Sequence, residues 1–133
     1  MAEQRVFYGS IVWADVCDPN TGEPAGEHPV IVLSSDEDIA AGKDLRTVVI
    51  STGYTRPIRD GWYEMDHMPG KPGGHEKTGL DEACVAKATW PQRIPQASIR
   101  IKGKHRAPVK TVKQIVAWLR NRPAPKSEPP PAA

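Results

Sequence analysis

Gly9-Ser-Ile-Val-Trp-Ala-Asp15, Pro24-Ala-Gly-Glu-His-Pro-Val-Ile-Val-Leu-Ser34 and Val48-Val-Ile-Ser-Thr52 are the stretches that decide the fold. Phe7, Gly9, Ile11 and Trp13 alternate with Tyr8, Ser10 and Val12, the period-two pattern of a strand with one core face. Asp18-Pro-Asn-Thr-Gly22 is a turn cluster, since Asp and Asn close Asx turns and Gly supplies positive φ. A long connection is expected from about Asp15 to Glu27, with Pro29 opening the second strand, where its missing N–H does least harm. Ser34–Gly42 predicts a short helical turn with a Ser cap and early acidic residues. Leu45–Ser51, rich in Val and Ile, predicts a third strand that runs into two hydroxyls, Ser51 and Thr52.

Gly53–Lys77 has a different composition, with five Gly and three Pro and with Tyr54, Trp62 and Tyr63 scattered among charges. So long a loop in a compact domain is functional or mobile, and it has room for a short strand near Trp62–Met65. Cys84–Thr89 and Ser98–Lys102 read as later strands. Pro108 begins a helix whose Val109, Val112, Ile115, Val116 and Leu119 share one face, and Pro123 ends it. The Pro-rich residues 123–133 offer no core and are expected to form a disordered tail, leaving 1–122 as the folded domain. Periodicity alone gives a small α+β or barrel-like domain.

The 133 residues suffice for one core without disulfides or metals. Met-Ala-Glu-Gln-Arg leads into no apolar segment, so no secretory signal is expected. The run Val30–Leu33 is far short of the ~20 residues a membrane span needs. A cytoplasmic protein without membrane contact is the expectation. Cys17 and Cys84 fit no Cys-x-x-Cys pattern and read as buried, reduced thiols.

The net charge of +2 hides a strong asymmetry. Residues 1–82 hold 7 basic and 15 acidic side chains, whereas residues 83–133 hold 11 basic and 1 acidic. That division points to a polyanion or an acidic protein as partner, or to two halves that neutralise each other on folding. Lys102, Lys104, His105 and Arg106 make a basic loop suited to tracking phosphates or simply to solvation. Trp62, Tyr54 and Tyr63 suit either stacking on unpaired bases or pinning the long loop to the core. Glu64, Asp66, His67, His75 and Glu76 follow no standard zinc or calcium spacing. There is no Gly-x-Gly-x-x-Gly or P-loop motif, so no cofactor is expected.

The order of the three opening stretches resembles that of the PemK/MazF family of toxin ribonucleases. So does Thr78-Gly-Leu80 followed by Val85-Ala-Lys-Ala-Thr-Trp-Pro-Gln-Arg-Ile94. The resemblance runs from about Gly9 to Ile94. It implies a mainly β fold with a C-terminal helix, a small SH3-like barrel. It also implies metal-independent cleavage of single-stranded RNA, a homodimer with RNA in its groove, and a cognate antitoxin laid over that groove.

Such chemistry needs a base for the 2′-hydroxyl, an acid for the leaving 5′-oxygen and positive charge at the phosphorane. Carried over by position, His28 stands where the family has Arg before the strand proline. Thr52, with Ser51 beside it, is the phosphate-holding hydroxyl, and Glu23 is the acidic residue of the first loop. Lys87 replaces an Arg and Thr89 an Asp; Arg56, Lys102 and Lys104 complete the expected RNA-binding set. His titrates near neutrality and lacks the guanidinium fork, so His28 suits proton transfer better than phosphate clamping. The substitutions at 28 and 89 leave an alternative open: a non-catalytic barrel that binds RNA or an antitoxin-like partner. A plain interaction domain using the acidic half is a third reading.

Overall fold

The computed structural model describes residues 5–54, 56–70 and 74–121. Five strands form one antiparallel sheet: β1 (Ile11–Cys17), β2 (Pro24–Val32), β3 (Leu45–Ser51), β4 (Trp62–Glu64) and β5 (Val85–Ile94). Their order is β1-β2-β3-β5-β4, with helices α1 (Asp36–Ala40) and α2 (Val109–Asn121). The fold is thus mainly β with a C-terminal helix, a small barrel-type arrangement, as expected. The segment 123–133 lies outside the described residues.

Both faces of the sheet are buried, which is why its strands read as apolar runs rather than as alternations. On one face Ile11, Ile31, Val48, Ile50, Ala86 and Ala88 pack under Val112 and Ile115 of α2. On the other, Val12, Ala14, Val16, Val30, Val32, Val49 and Ile94 form the barrel interior. Each fully buried Val, Ile or Leu contributes roughly 1.5–3 kcal/mol.

The β1 edge of the sheet is covered. Trp13 N–H donates to the Arg100 carbonyl at 2.9 Å and Arg100 N–H donates back at 2.7 Å, while Ile11 N–H donates to His105 O at 2.9 Å. At the far end of β1, the Gln92 side chain accepts from Cys17 N–H at 3.1 Å and donates to Cys17 O at 2.9 Å. A side-chain amide there does the work of a strand pair and curls β1 onto β5.

Several boundaries differ from the sequence reading. β1 begins at Ile11, and Phe7 and Tyr8 ahead of it are exposed, so the expected 7-9-11-13 core face holds only from Ile11. Val12, Ala14 and Val16 supply the other face. β2 starts at Pro24, which shortens the first connection to Asp18–Glu23. Pro29 lies within β2, opposite Trp13. Trp13 points its N–H and C=O at Arg100, so this pair exchanges no hydrogen bond, and pairing with β3 starts only at Val30. No ladder needs the missing N–H.

The turn chemistry is as read. Asp18 Oδ1 accepts from Asn20 N–H at 2.7 Å, Gly22 has φ +75°, and Ser35 Oγ caps α1 by accepting from Asp38 N–H. β3 has the expected limits, and the short strand in the long loop is β4. β5 runs on to Ile94 through a bulge that carries it past Pro91. The expected strand at Ser98–Lys102 reduces to the bridge at Arg100. On α2, Val112 and Ile115 are buried, but Val109 in the first turn is exposed. Trp118 lies against Gly61, where a Cβ would come within 2.8 Å of the indole, and its Nε1 donates to Asp60 at 2.9 Å.

Cys17 is exposed, contrary to expectation, because the end of β1 projects it away from both cores. Cys84 is buried, and burial, aided by Glu82 and Asp81, pushes its thiol up to about 11. At neutral pH a thiol reagent should therefore titrate Cys17 quickly and Cys84 only after unfolding; two fast thiols would contradict the packing. Ile115→Ala should cost about 2–5 kcal/mol in chemical denaturation, since it opens the seam between α2 and the sheet.

Candidate active site

One row of the sheet runs Val12, Val30, Val49, Lys87, Trp62 across the five strands. A lysine thus continues a row of three valines, between Val49 and Trp62, on the face of the barrel interior. Lys87 is 5% exposed. Its Nζ donates to Gly53 O at 2.9 Å and sits 4.3 Å from the Trp62 ring centroid and 4.9 Å from that of Trp90. Among the described residues it forms no ion pair with a carboxylate. Burial pushes the ammonium below the ordinary lysine range and Arg59 adds to this, while Asp18 opposes it.

The bulge in β5 builds this arrangement. Val48 pairs with Pro91 and Val49 with Lys87, so Ala88–Trp90 leave the ladder. Trp90 then reaches Lys87, and Thr89 Oγ1 accepts from Trp62 Nε1 at 2.8 Å. The Arg59 guanidinium lies 5.0 Å from the Trp62 centroid. Facing indoles are electrostatically favourable for both cations.

Gly53, whose carbonyl caps Lys87, belongs to the turn that follows β3. Ser51 Oγ accepts from Gly53 N–H at 3.0 Å, and Thr52 O accepts from Tyr54 N–H at 3.0 Å. The Thr52 side chain is exposed, and its hydroxyl has no partner among the described residues. An exposed hydroxyl beside a buried, unneutralised cation is an arrangement that attracts an anion and can donate to it.

His28, paired with Ala14 on β2, is half-buried. Strand alternation puts it on the face of Val30, and continuing the Val30–Val49 register places it opposite Ser51. Its Nε2 lies 3.0 Å from Ala25 O, and the tautomer that donates there leaves Nδ1 as an acceptor. Glu23 is exposed at the end of the Asp18–Glu23 loop, with no hydrogen bond or ion pair to His28 among the described residues.

Of the expected residues, Ser51, Thr52 and Thr89 are brought to Lys87, the first two through Gly53 and the third through Trp62, with His28 on the neighbouring strand. The remaining basic residues lie elsewhere. Arg56 pairs with Glu64 at 3.0 Å. Lys102 donates to Glu27 at 2.9 Å, which holds that carboxyl below its usual range, and Arg100 joins Glu27 and Asp15. Lys104 is exposed beside the start of β1. Sequence reasoning missed Trp90, Arg59 and the Gly53 carbonyl; a proline inside a strand, Trp90-Pro91, was the one available signal of a bulge. Tyr63 pins the loop to α2, donating to Gln114 O at 3.4 Å.

A family model described as PemK-like, MazF-like toxin of type II toxin–antitoxin system matches residues 8–121. No curated protein matches the chain at a significant level.

Lys87→Met keeps the stem and removes the charge. Because the folded-state pKa is depressed, the unfolded chain binds the extra proton between that value and the ordinary one, about 10.4. Stability of the wild type relative to Lys87→Met should therefore rise as pH increases through that window. Urea titrations of both proteins at about pH 7 and at about pH 10.5, which spans the window, read this difference; no change with pH would mean that the ammonium is not perturbed.

Proposed function

The chain belongs to the PemK-like, MazF-like toxins of type II toxin–antitoxin systems, and we propose that it is an endoribonuclease that cuts single-stranded RNA without a metal. The observation that carries this reading is the exposed Thr52 hydroxyl on a turn whose backbone caps the buried Lys87 ammonium. In this reading Thr52 holds the scissile phosphate, Ser51 fixes the turn, and Lys87 supplies positive charge to the developing phosphorane. Thr89 keeps Trp62 on Lys87.

His28 exchanges the protons. The 2′-oxygen attacks phosphorus as its proton leaves to the imidazole, the P–O5′ bond breaks, and the 5′-oxygen takes a proton. The products are a 2′,3′-cyclic phosphate and a 5′-hydroxyl. In this reading Glu23 pairs with and orients His28. The protein acts in the cytoplasm as a homodimer and is silenced by its antitoxin. Among the described residues, no helix is long and apolar enough to cross a membrane.

A second reading, a barrel that binds RNA or an antitoxin-like protein without cutting, is favoured by one observation. The His28 ring is engaged with Ala25 O and not with Glu23.

Incubation with long single-stranded RNA in EDTA, beside His28→Ala and Thr52→Ala, tests the proposal. Discrete cuts with cyclic-phosphate ends should appear, slowed about 10²-fold or more by either change. RNA left intact at high protein concentration would leave the binding module as the reading.

A further inference from the structure

At the start of β1, away from the Thr52–Lys87 cluster, the chain forms a cleft of about 440 Å³. Phe7 and Tyr8 line it, and each is 47% exposed although large and aromatic. Arg5, Lys104 and Arg106 line it too. None of the three is in an ion pair among the described residues, and no lining residue is acidic. The basic loop is therefore divided: Lys102 is committed to Glu27, while Lys104 and Arg106 keep their charge toward this cleft.

The backbone on both sides is fixed while the side chains stay out. Phe7 N–H donates to Ser10 Oγ at 2.8 Å, Tyr8 N–H to Asp36 Oδ1 at 2.8 Å, and Arg106 N–H to Lys77 O at 2.7 Å. Ser10 bridges Arg106 across the edge of β1. Two adjacent exposed rings on a rigid support leave apolar area in water that folding would otherwise bury, a mark of a binding surface. Rings interleaved with unpaired cations fit one polymer well: unpaired bases stack on the rings while phosphates meet the cations. An acidic peptide would satisfy the cations but would bring no planar faces to the rings.

We propose that Phe7, Tyr8, Lys104 and Arg106 form a second anchoring site for single-stranded RNA, separate from the centre that cuts it. The inference rests on the RNA reading above. It adds that the length of strand gripped is set here, whereas the chemistry is set at Thr52 and His28.

The probe is an uncleavable 2′-O-methyl oligonucleotide of mixed sequence, about 30 nucleotides long, followed by fluorescence anisotropy. The proteins are the full chain, Phe7→Ala/Tyr8→Ala and Lys104→Ala/Arg106→Ala, each checked by circular dichroism for an unchanged fold. The aromatic pair should weaken binding about tenfold or more, and the basic pair should flatten the salt dependence by about 1.5 in log–log slope. Wild-type affinity in both variants would overturn the anchoring site even if RNA is cut. Lost affinity in the variants of a protein that never cuts RNA would support the anchor and remove only the nuclease. Binding of a polyglutamate peptide but of no oligonucleotide would assign the surface to an acidic protein and overturn the proposal.

Discussion

Gln92 sits where the sheet must close, and its carboxamide holds Cys17 by both backbone groups. A sheet buried on two faces cannot stay open at a frayed first strand, because its unpaired N–H and C=O groups would face apolar neighbours. Thr47 steadies the closure from below, its buried hydroxyl donating to Gln92 O at 3.0 Å. With β1 folded onto β5, the row of valines that ends in Lys87 faces an interior, and the ammonium must rely on indoles and a carbonyl. The electrostatic character of the candidate site is thus a product of barrel closure.

Charge follows the same geometry. The excess of acidic residues through position 82 and of basic residues after it is bridged at one edge of the sheet. Arg100 and Lys102 fold onto Asp15 and Glu27 across the edge of β1 and so join the two halves, whereas Arg56 and Glu64 pair within the acidic half. These pairs are largely exposed and add little to stability. Their effect is selective: among the described residues they leave Lys87, Lys104 and Arg106 without a carboxylate partner.

Much of the fold was legible because it rests on local rules. Ser35 as a cap, Asp18 as an Asx turn and Leu45–Ser51 as a strand all follow from side-chain chemistry within a few residues. The start of β2 was not legible, since Pro29 reads as a boundary unless one knows that Trp13 bonds elsewhere. The site divided in the same way. Thr52, Ser51 and Lys87 could be placed by their order along the chain. Trp90 and Gly53 could not, because their meeting with Lys87 depends on a bulge and on a pairing between distant strands.

That bulge has a consequence for how such a protein can change. On one side of it Leu45–Val48 pair with Pro91–Ile94, and on the other Val49–Ser51 pair with Val85–Lys87. The two ladders keep their registers independently of what lies between them. Thr89 and Trp90 therefore answer to the cation site and not to the β3 ladder, whereas Ala88 stays fixed in the core beneath α2. A change at Thr89 or Trp90 thus alters what surrounds the ammonium while both registers of β3 and β5 stay paired.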